Sequence, residues 1–293
     1  MINGLIGQCI SPNTLQIYMR GLTCLDDFRS QFSLAYVWPV SVQELCNFIA
    51  HLILAKYSHS TIKSYLSGIS FFQKLNGFED TTQSFIVKKL LEGINRSKPK
   101  IKDARLPITR DMLKVILASL PLVCRSIYET NLFQAAFSIA IHGLFRICEL
   151  VVNNGDVRHI VSVSDVTIER CHLRIHLPSS KTDQLGIGSV IILDQQQDEN
   201  ICPCNLLKIY LKGRPSVQGP LFCHLDGKSL TRYQFVRVLK KALNRAGISD
   251  KGFSSHSFRI GAATGLAMEG VPESRIMQLG RWKSNAYKGY IRI

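Results

Sequence analysis

The sequence predicts a mainly α fold in two parts: an N-terminal helical bundle, then an α+β domain built around a small three-stranded antiparallel sheet. Three observations carry that expectation. Apolar residues recur at helical spacing through most of the chain, with Ser, Thr or Pro at the starts of the periodic stretches. Between Ile160 and Leu193 the pattern switches to alternating and β-branched residues with turn-formers between them. A polar, basic stretch with two prolines, NRSKPKIKDARLP, separates the two regions.

The elements follow in order. Ser11-Pro12 reads as an N-cap with proline in the first turn, and Leu15, Tyr18, Leu22 and Leu25 then share one helical face. Ser41 and Glu44 form a capping-box pattern ahead of Leu45, Phe48, Ile49, Leu52 and Ile53. A third helix starts near Ser60 and carries Ile62, Tyr65, Leu66, Ile69 and Phe72. A fourth, after Thr82, carries Phe85, Leu90, Leu91 and Ile94. These make a small bundle over residues 1–95. A linker spans 96–107, and a second domain spans 108–293. There PITRDMLKVILASL and RSIYETNLFQAAFSIAIHGLF read as helices, and VSVSDVTIE, HLRIHL and GSVIIL as strands. Helices resume near Cys202, Thr231, Ser254 and Pro272, with a short last one near Asn285.

The 293 residues hold 36 Lys+Arg against 21 Asp+Glu, a formal net charge of +15. Such a surplus points to a polyanion, nucleic acid first and an anionic membrane surface second. Both parts share it: 12 basic against 7 acidic residues over 1–105, and 24 against 14 over 106–293. The linker region is densest, with Lys88, Lys89, Arg96, Lys98, Lys100, Lys102 and Arg105 against Glu92 and Asp103. It reads as a strap that tracks phosphates. No apolar run nears the ~18 residues of a membrane span, and the N-terminus lacks the pattern of a signal peptide. Nine cysteines, scattered singly, suggest reduced core thiols in an intracellular protein. Cys202-Pro203-Cys204 has no second pair at zinc-site spacing, so no metal is expected.

Three further segments stand out. GLFRICELV places Arg146 and Glu149 three apart, and SSHSFRIGAAT does the same for His256 and Arg259. On a helix that spacing shares one face. The third, LGRWKSNAYKGYIR, ends with Tyr290, while Lys181 sits where the second and third strands would turn. Each alone is weak: a buried arginine is usually a paired structural charge, and a late tyrosine is usually packing.

Taken together and in this order, these residues resemble the tyrosine recombinases, also called phage integrases. The resemblance covers nearly the whole chain. It implies a SAM-like core-binding domain followed by a catalytic domain of the DNA breaking–rejoining fold. HSFRIGAAT and GRWKS-AY--YIR look most like the branch of eukaryotic DIRS-like retroelements and Cryptons, and of host genes derived from them. The implied function is site-specific recombination or integration through a 3′-phosphotyrosyl intermediate, in a mobile element acting in the nucleus. The implied partners are double-stranded DNA and, on it, a homotetramer. No cofactor, metal or ATP is implied, because arginines and a lysine supply the positive charge.

The family roles fall on matching positions. Tyr290 is the nucleophile; Arg146 and Arg259 clamp the non-bridging oxygens, as planar guanidiniums do best. His256 donates to the phosphate or manages the tyrosine proton, and Lys181 is the acid for the leaving oxygen. Trp282 takes the late His/Trp position, with Arg281 the alternative because the match there is ambiguous by one residue. Glu149 orients its neighbours. Tyr287 is the alternative nucleophile; "YIR" and the ten residues from Gly280 favour Tyr290. By the same analogy Ser58, Thr61, Lys63, Lys88 and Lys89, with the linker residues Arg96, Lys98, Lys100 and Lys102, face DNA. The chain stops three residues after Tyr290, where family members usually continue into a helix that docks on a neighbouring subunit. That motivates one rival, a domesticated DNA-binding protein that keeps the fold without the reaction. A second rival is a type IB topoisomerase-like nicking–closing activity.

Overall fold

The structure, a computed structural model, describes residues 9–97, 103–153, 155, 157–179 and 186–293. The chain divides into two compact units, one ending at Lys102 and one beginning at Asp103.

The first unit holds helices α1 (Pro12–Gln31), α2 (Val42–Leu54), α3 (His59–Leu75) and α4 (Phe85–Ser97). Serines start the first three. Ser11, Ser41 and Ser58 each accept a bond from the amide three residues on, at 3.2, 3.1 and 3.1 Å. α1 and α3 cross through two glycines: a methyl at Gly21 would lie 2.8 Å from the Tyr65 Cα, and one at Gly68 2.8 Å from the Tyr18 Cα. The core gathers Leu25, Phe28, Leu45, Phe48, Ile49, Leu52, Ile62, Leu66 and Ile69 with Val87 and Ile94. Four expected core positions are exposed. Leu15 of α1 is exposed, because burial on that helix starts only at Gly21; Ile53 lies at the outer edge of α2; and Phe85 and Leu90 of α4 face out while Val87 turns inward. The expected capping box is half made. Ser41 caps α2, but the Glu44 carboxylate instead meets the sealed Arg29 guanidinium at 2.6 Å, where an uncompensated charge would be far costlier than an exposed amide.

The second unit opens with a strap along residues 103–109. Leu106 N–H donates to the Gly252 carbonyl (2.9 Å) and Ile108 N–H to that of Ser257 (3.0 Å). Residues 103–107, read from sequence as linker, thus pack on the second unit, and α4 extends two residues past the expected boundary at 95. Then come α5 (Arg110–Ser119), α6 (Ile127–His142), α7 (Ile147–Leu150), strands β1 (Val166–Ile168), β2 (His172–Leu177) and β3 (Ser189–Asp194), α8 (Pro203–Gly213), α9 (Arg232–Arg245), α10 (His256–Met268), α11 (Glu273–Gly280) and a 3₁₀ turn over Asn285–Tyr290. The sheet is antiparallel in the order β1-β2-β3, with Ile175 opposite Val166 on one side and Ile191 on the other. Its Leu173, Ile175 and Leu177 point to the core. α6 runs through the middle, buried nearly all round. Phe137 on α6, Phe235 on α9 and Phe258 on α10 stack at 4.7, 5.2 and 5.4 Å and fix the helix that carries His256 and Arg259. Of the nine cysteines, Cys202, Cys204 and Cys223 are buried, but Cys9 and Cys171 are exposed, so the expectation of core thiols holds only in part.

Candidate active site

Helix α6 ends in a tight turn, Gly143–Leu144–Phe145, in which Leu144 takes a left-handed φ of 45°. The turn aims two carbonyls at one side. Next in the chain, Arg146 starts α7, and Glu149 reaches back to it: Oε2 accepts the Arg146 amide at 2.8 Å and Oε1 accepts Nη1 at 3.0 Å. On α10, one turn past His256, the sealed Arg259 donates Nη1 to the Leu144 carbonyl and Nη2 to that of Gly280. Arg281 arrives from the end of α11, itself left-handed at φ 57°. Its Nη1 donates to Gly143 O at 3.1 Å, and its Nη2 to Leu144 O at 3.2 Å and Glu149 Oε2 at 2.9 Å. Two guanidiniums therefore share one carboxylate, and the third, Arg259, lies within its electrostatic reach. Burial presses the Arg259 guanidinium below the ordinary arginine range, and Arg146 and Arg281 press the same way. Burial does the same to Arg281, with Glu149 opposing it. Such a surplus favours an anion from outside.

The aromatic side of the site is equally specific. The Trp282 ring lies 4.1 Å from the Arg259 guanidinium and 5.3 Å from the Tyr290 ring. Gly280 makes this possible, since a methyl there would lie 1.8 Å from the indole. Tyr290 is half-buried, 5.5 Å from Arg259 and 6.5 Å from the His256 ring. Thr264 donates its hydroxyl to the Tyr290 carbonyl at 3.3 Å. Burial, with Arg105, Arg232 and Arg259 nearby, pushes the His256 imidazole below its ordinary value and so favours the neutral ring. Tyr287 also packs on the Trp282 ring, at 6.3 Å, but its hydroxyl is placed differently. It is fully buried, its hydroxyl donates to the Glu273 carboxylate, and burial together with that carboxylate pushes it up to about 12.

The structure thus brings together Arg146, Glu149, His256, Arg259, Trp282 and Tyr290. It turns Arg281 toward Glu149 and holds Tyr287 apart. Lys181 lies outside the described residues, as do Lys98, Lys100 and Lys102. In the first unit Lys63 and Lys88 line one groove of about 470 Å³ with Tyr18 and Lys74. Ser58 and Thr61 instead bond each other at 2.8 Å at the start of α3. Lys89 pairs with Glu92 at 2.9 Å, and Arg96 is exposed, 4.0 Å from the same carboxylate.

The sequence profile of the phage integrase family matches residues 133–288, more than half of the chain and all of the site up to Lys288. The chain belongs to the phage integrase family. It is a site-specific tyrosine recombinase, an enzyme that transfers DNA strands. A curated relative, the integrase/recombinase xerD homolog of Selenomonas ruminantium, is 26% identical over 292 residues, covering 94% of this chain and 79% of the relative. Among solved structures, the XerH recombinase on its palindromic difH substrate superposes with a TM-score of 0.67 at 20% identity, over 95% of this chain and 76% of XerH. The Tn1549 transposon integrase in complex with transposon right end DNA gives 0.65 at 14%, over 97% and 90%. A lambda integrase dimer on a core site gives 0.61 at 16%, over 99% and 74%. These likenesses confirm the fold: mainly helical, with a small three-stranded sheet.

Two features of this integrase escaped the sequence reading. Arg232, Arg237, Lys240 and Lys241 of α9 line a groove of about 950 Å³, with Tyr233 and the Ser254–Ser255 turn just before His256. The spacing of 237, 240 and 241 was a legible helical basic face. The other is Arg105, which lies within electrostatic reach of both His256 and Tyr290; nothing in its local sequence signals that.

Proposed function

We propose that this recombinase cuts duplex DNA by in-line attack of the Tyr290 hydroxyl on a single phosphodiester. The Tyr290 oxygen–phosphorus bond forms, the bond to the 5′ oxygen breaks, and the reverse step, with a 5′ hydroxyl as nucleophile, rejoins the strand. The observation that carries this reading is the convergence of His256, Arg259 and Trp282 on a half-buried Tyr290, with Arg146 in electrostatic reach of Arg259, while Tyr287 is sealed and tied to Glu273. Arg146 and Arg259 neutralise the charge that grows on the non-bridging oxygens, which is the largest share of the rate enhancement. Neutral His256 takes the tyrosine proton or donates to the same phosphate. Lys181 hands a proton to the leaving oxygen. Glu149 aligns Arg146, and Arg281 steadies Glu149. The α9 groove beside His256 and the Lys63–Lys88 groove hold flanking phosphates.

Within the family we place the chain with DIRS-like and Crypton elements, on the strength of HSFRIGAAT and GRWKS-AY--YIR. The element is mobile, the site of action is the nucleus, and the working assembly on DNA is a tetramer. The experiment is covalent trapping on nicked duplexes bearing the terminal repeats that flank the gene. Wild type and Tyr287→Phe form a protein–DNA adduct, and Tyr290→Phe does not. An adduct that survives Tyr290→Phe overturns the assignment. Tight binding with no adduct on any such site returns the reading to a DNA-binding protein. Supercoil relaxation without intermolecular joining returns it to a nicking–closing enzyme.

A further inference from the structure

We infer that Asp103 is a positioning residue for the nucleophile segment: its carboxylate ties Arg292, two residues past Tyr290, to the strap on which the second unit begins. This rests on the reading of Tyr290 as the nucleophile. Arg292 Nη2 donates to Asp103 Oδ2 at 2.8 Å, across 189 residues of sequence. The same carboxylate receives Arg105 in a two-pronged pair, Nε to Oδ1 at 2.8 Å and Nη2 to Oδ2 at 2.7 Å. The Arg105 amide adds a third bond, at 3.1 Å. One carboxylate therefore serves two guanidiniums.

What Arg292 does with its other nitrogen gives the tie its meaning. Nη1 donates to the Gly289 carbonyl at 2.7 Å and to the Ile291 carbonyl at 3.2 Å, on either side of Tyr290. The guanidinium braces the turn that presents the tyrosine, and Asp103 holds the guanidinium. The strap is itself fixed by the Leu106 and Ile108 amides to Gly252 and Ser257, which flank His256. Tyr290 and His256 are thereby referenced to the same short stretch of chain, one by an ion pair and the other by backbone bonds. An isolated exposed pair would hold such a turn weakly. Here the Arg105 fork and the two strap bonds place the carboxylate in advance, so little freedom remains to be lost when Arg292 docks.

Hydrogen exchange of the free protein tests the tie without DNA. Asp103→Asn and Arg292→Ala should each speed exchange of the amides in 286–292 by about two- to fivefold, the range of a partly exposed pair. Exchange in β2 and the melting temperature should not move. The double variant, Asp103→Asn with Arg292→Ala, should exchange no faster than Arg292→Ala alone, because both single variants break the same tie. Unchanged exchange in Asp103→Asn, or effects of the two single variants that add in the double variant, overturns the inference. A second arm measures covalent adduct on the nicked duplexes that bear the flanking terminal repeats. The single variants should slow adduct formation, and the double variant should be no slower than Arg292→Ala. Faster exchange with an unchanged adduct rate overturns the positioning role. Absence of adduct from wild type, with the exchange pattern as expected, defeats the nucleophile assignment and leaves the tie standing.

Discussion

Arg29 in the first unit and Arg259 in the second are both sealed from solvent, at 0% and 1% exposure. Their surroundings differ. Arg29 has a carboxylate of its own, Glu44 at 2.6 Å, with the Val37 carbonyl at 2.8 Å and the Trp38 ring at 5.1 Å. Arg259 has a tryptophan too, but its bonds go to two main-chain carbonyls, and the nearby Glu149 is already shared by Arg146 and Arg281. Both leave one buried guanidinium nitrogen without a partner among the described residues, so orphaned donors do not separate them. The charge count does. A matched buried arginine is a strut. One in a cluster with surplus cations is poised for an anion, and its net positive field is the part of the site that chemistry can use.

The contrast breaks first at Arg259. Arg259→Lys should lower the rate of adduct formation about 10²–10³-fold in single-turnover trapping, because an ammonium cannot reproduce the fork toward a phosphate. Glu44→Gln should do the opposite kind of damage. It leaves a buried guanidinium without its anion and should lower unfolding free energy by about 3 kcal/mol in a denaturant titration. Cleavage chemistry should be unchanged below the melting point. Glu149→Gln lies between: about 2 kcal/mol of stability lost with a charged hydrogen-bond partner, and slower cleavage because Arg146 is no longer aligned. The smallest effect should come from His256. Its folded pKa is depressed, so between that value and the ordinary one the unfolded chain binds more protons, and stability falls as pH drops through this window. Calorimetry from pH 7 to pH 5 should show a shallower loss in His256→Gln than in wild type.

Much of this was legible, and the exceptions share a cause. The helix starts at Ser11 and Ser41 are written locally, since a cap needs only an amide three residues on; the third reads as starting near Ser60, two residues past its Ser58 cap. The HxxR helix and the strand alternation are equally local. What escaped was non-local pairing. Glu44 satisfies its own capping pattern on paper and goes to Arg29, 15 residues away, instead. The choice between Arg281 and Trp282 turned on backbone handedness: a left-handed φ at Arg281 sends that side chain to Glu149 and leaves the next one facing Tyr290. The strap read as a linker because its composition is polar, and only its bonds to Gly252 and Ser257 attach it to the second unit.

The strap's closest approach to α10 has a consequence for sequence variation. A methyl at Gly261 would lie 1.8 Å from the Ile108 carbonyl oxygen, whereas one at Gly265, a single helical turn further on, meets nothing within 4 Å. In a library randomised at both positions and selected for strand joining, position 261 should return only glycine, while 265 drifts freely to alanine and serine. The vacant volume beside one glycine, and its absence beside the other, would be written directly into the spectrum of surviving clones.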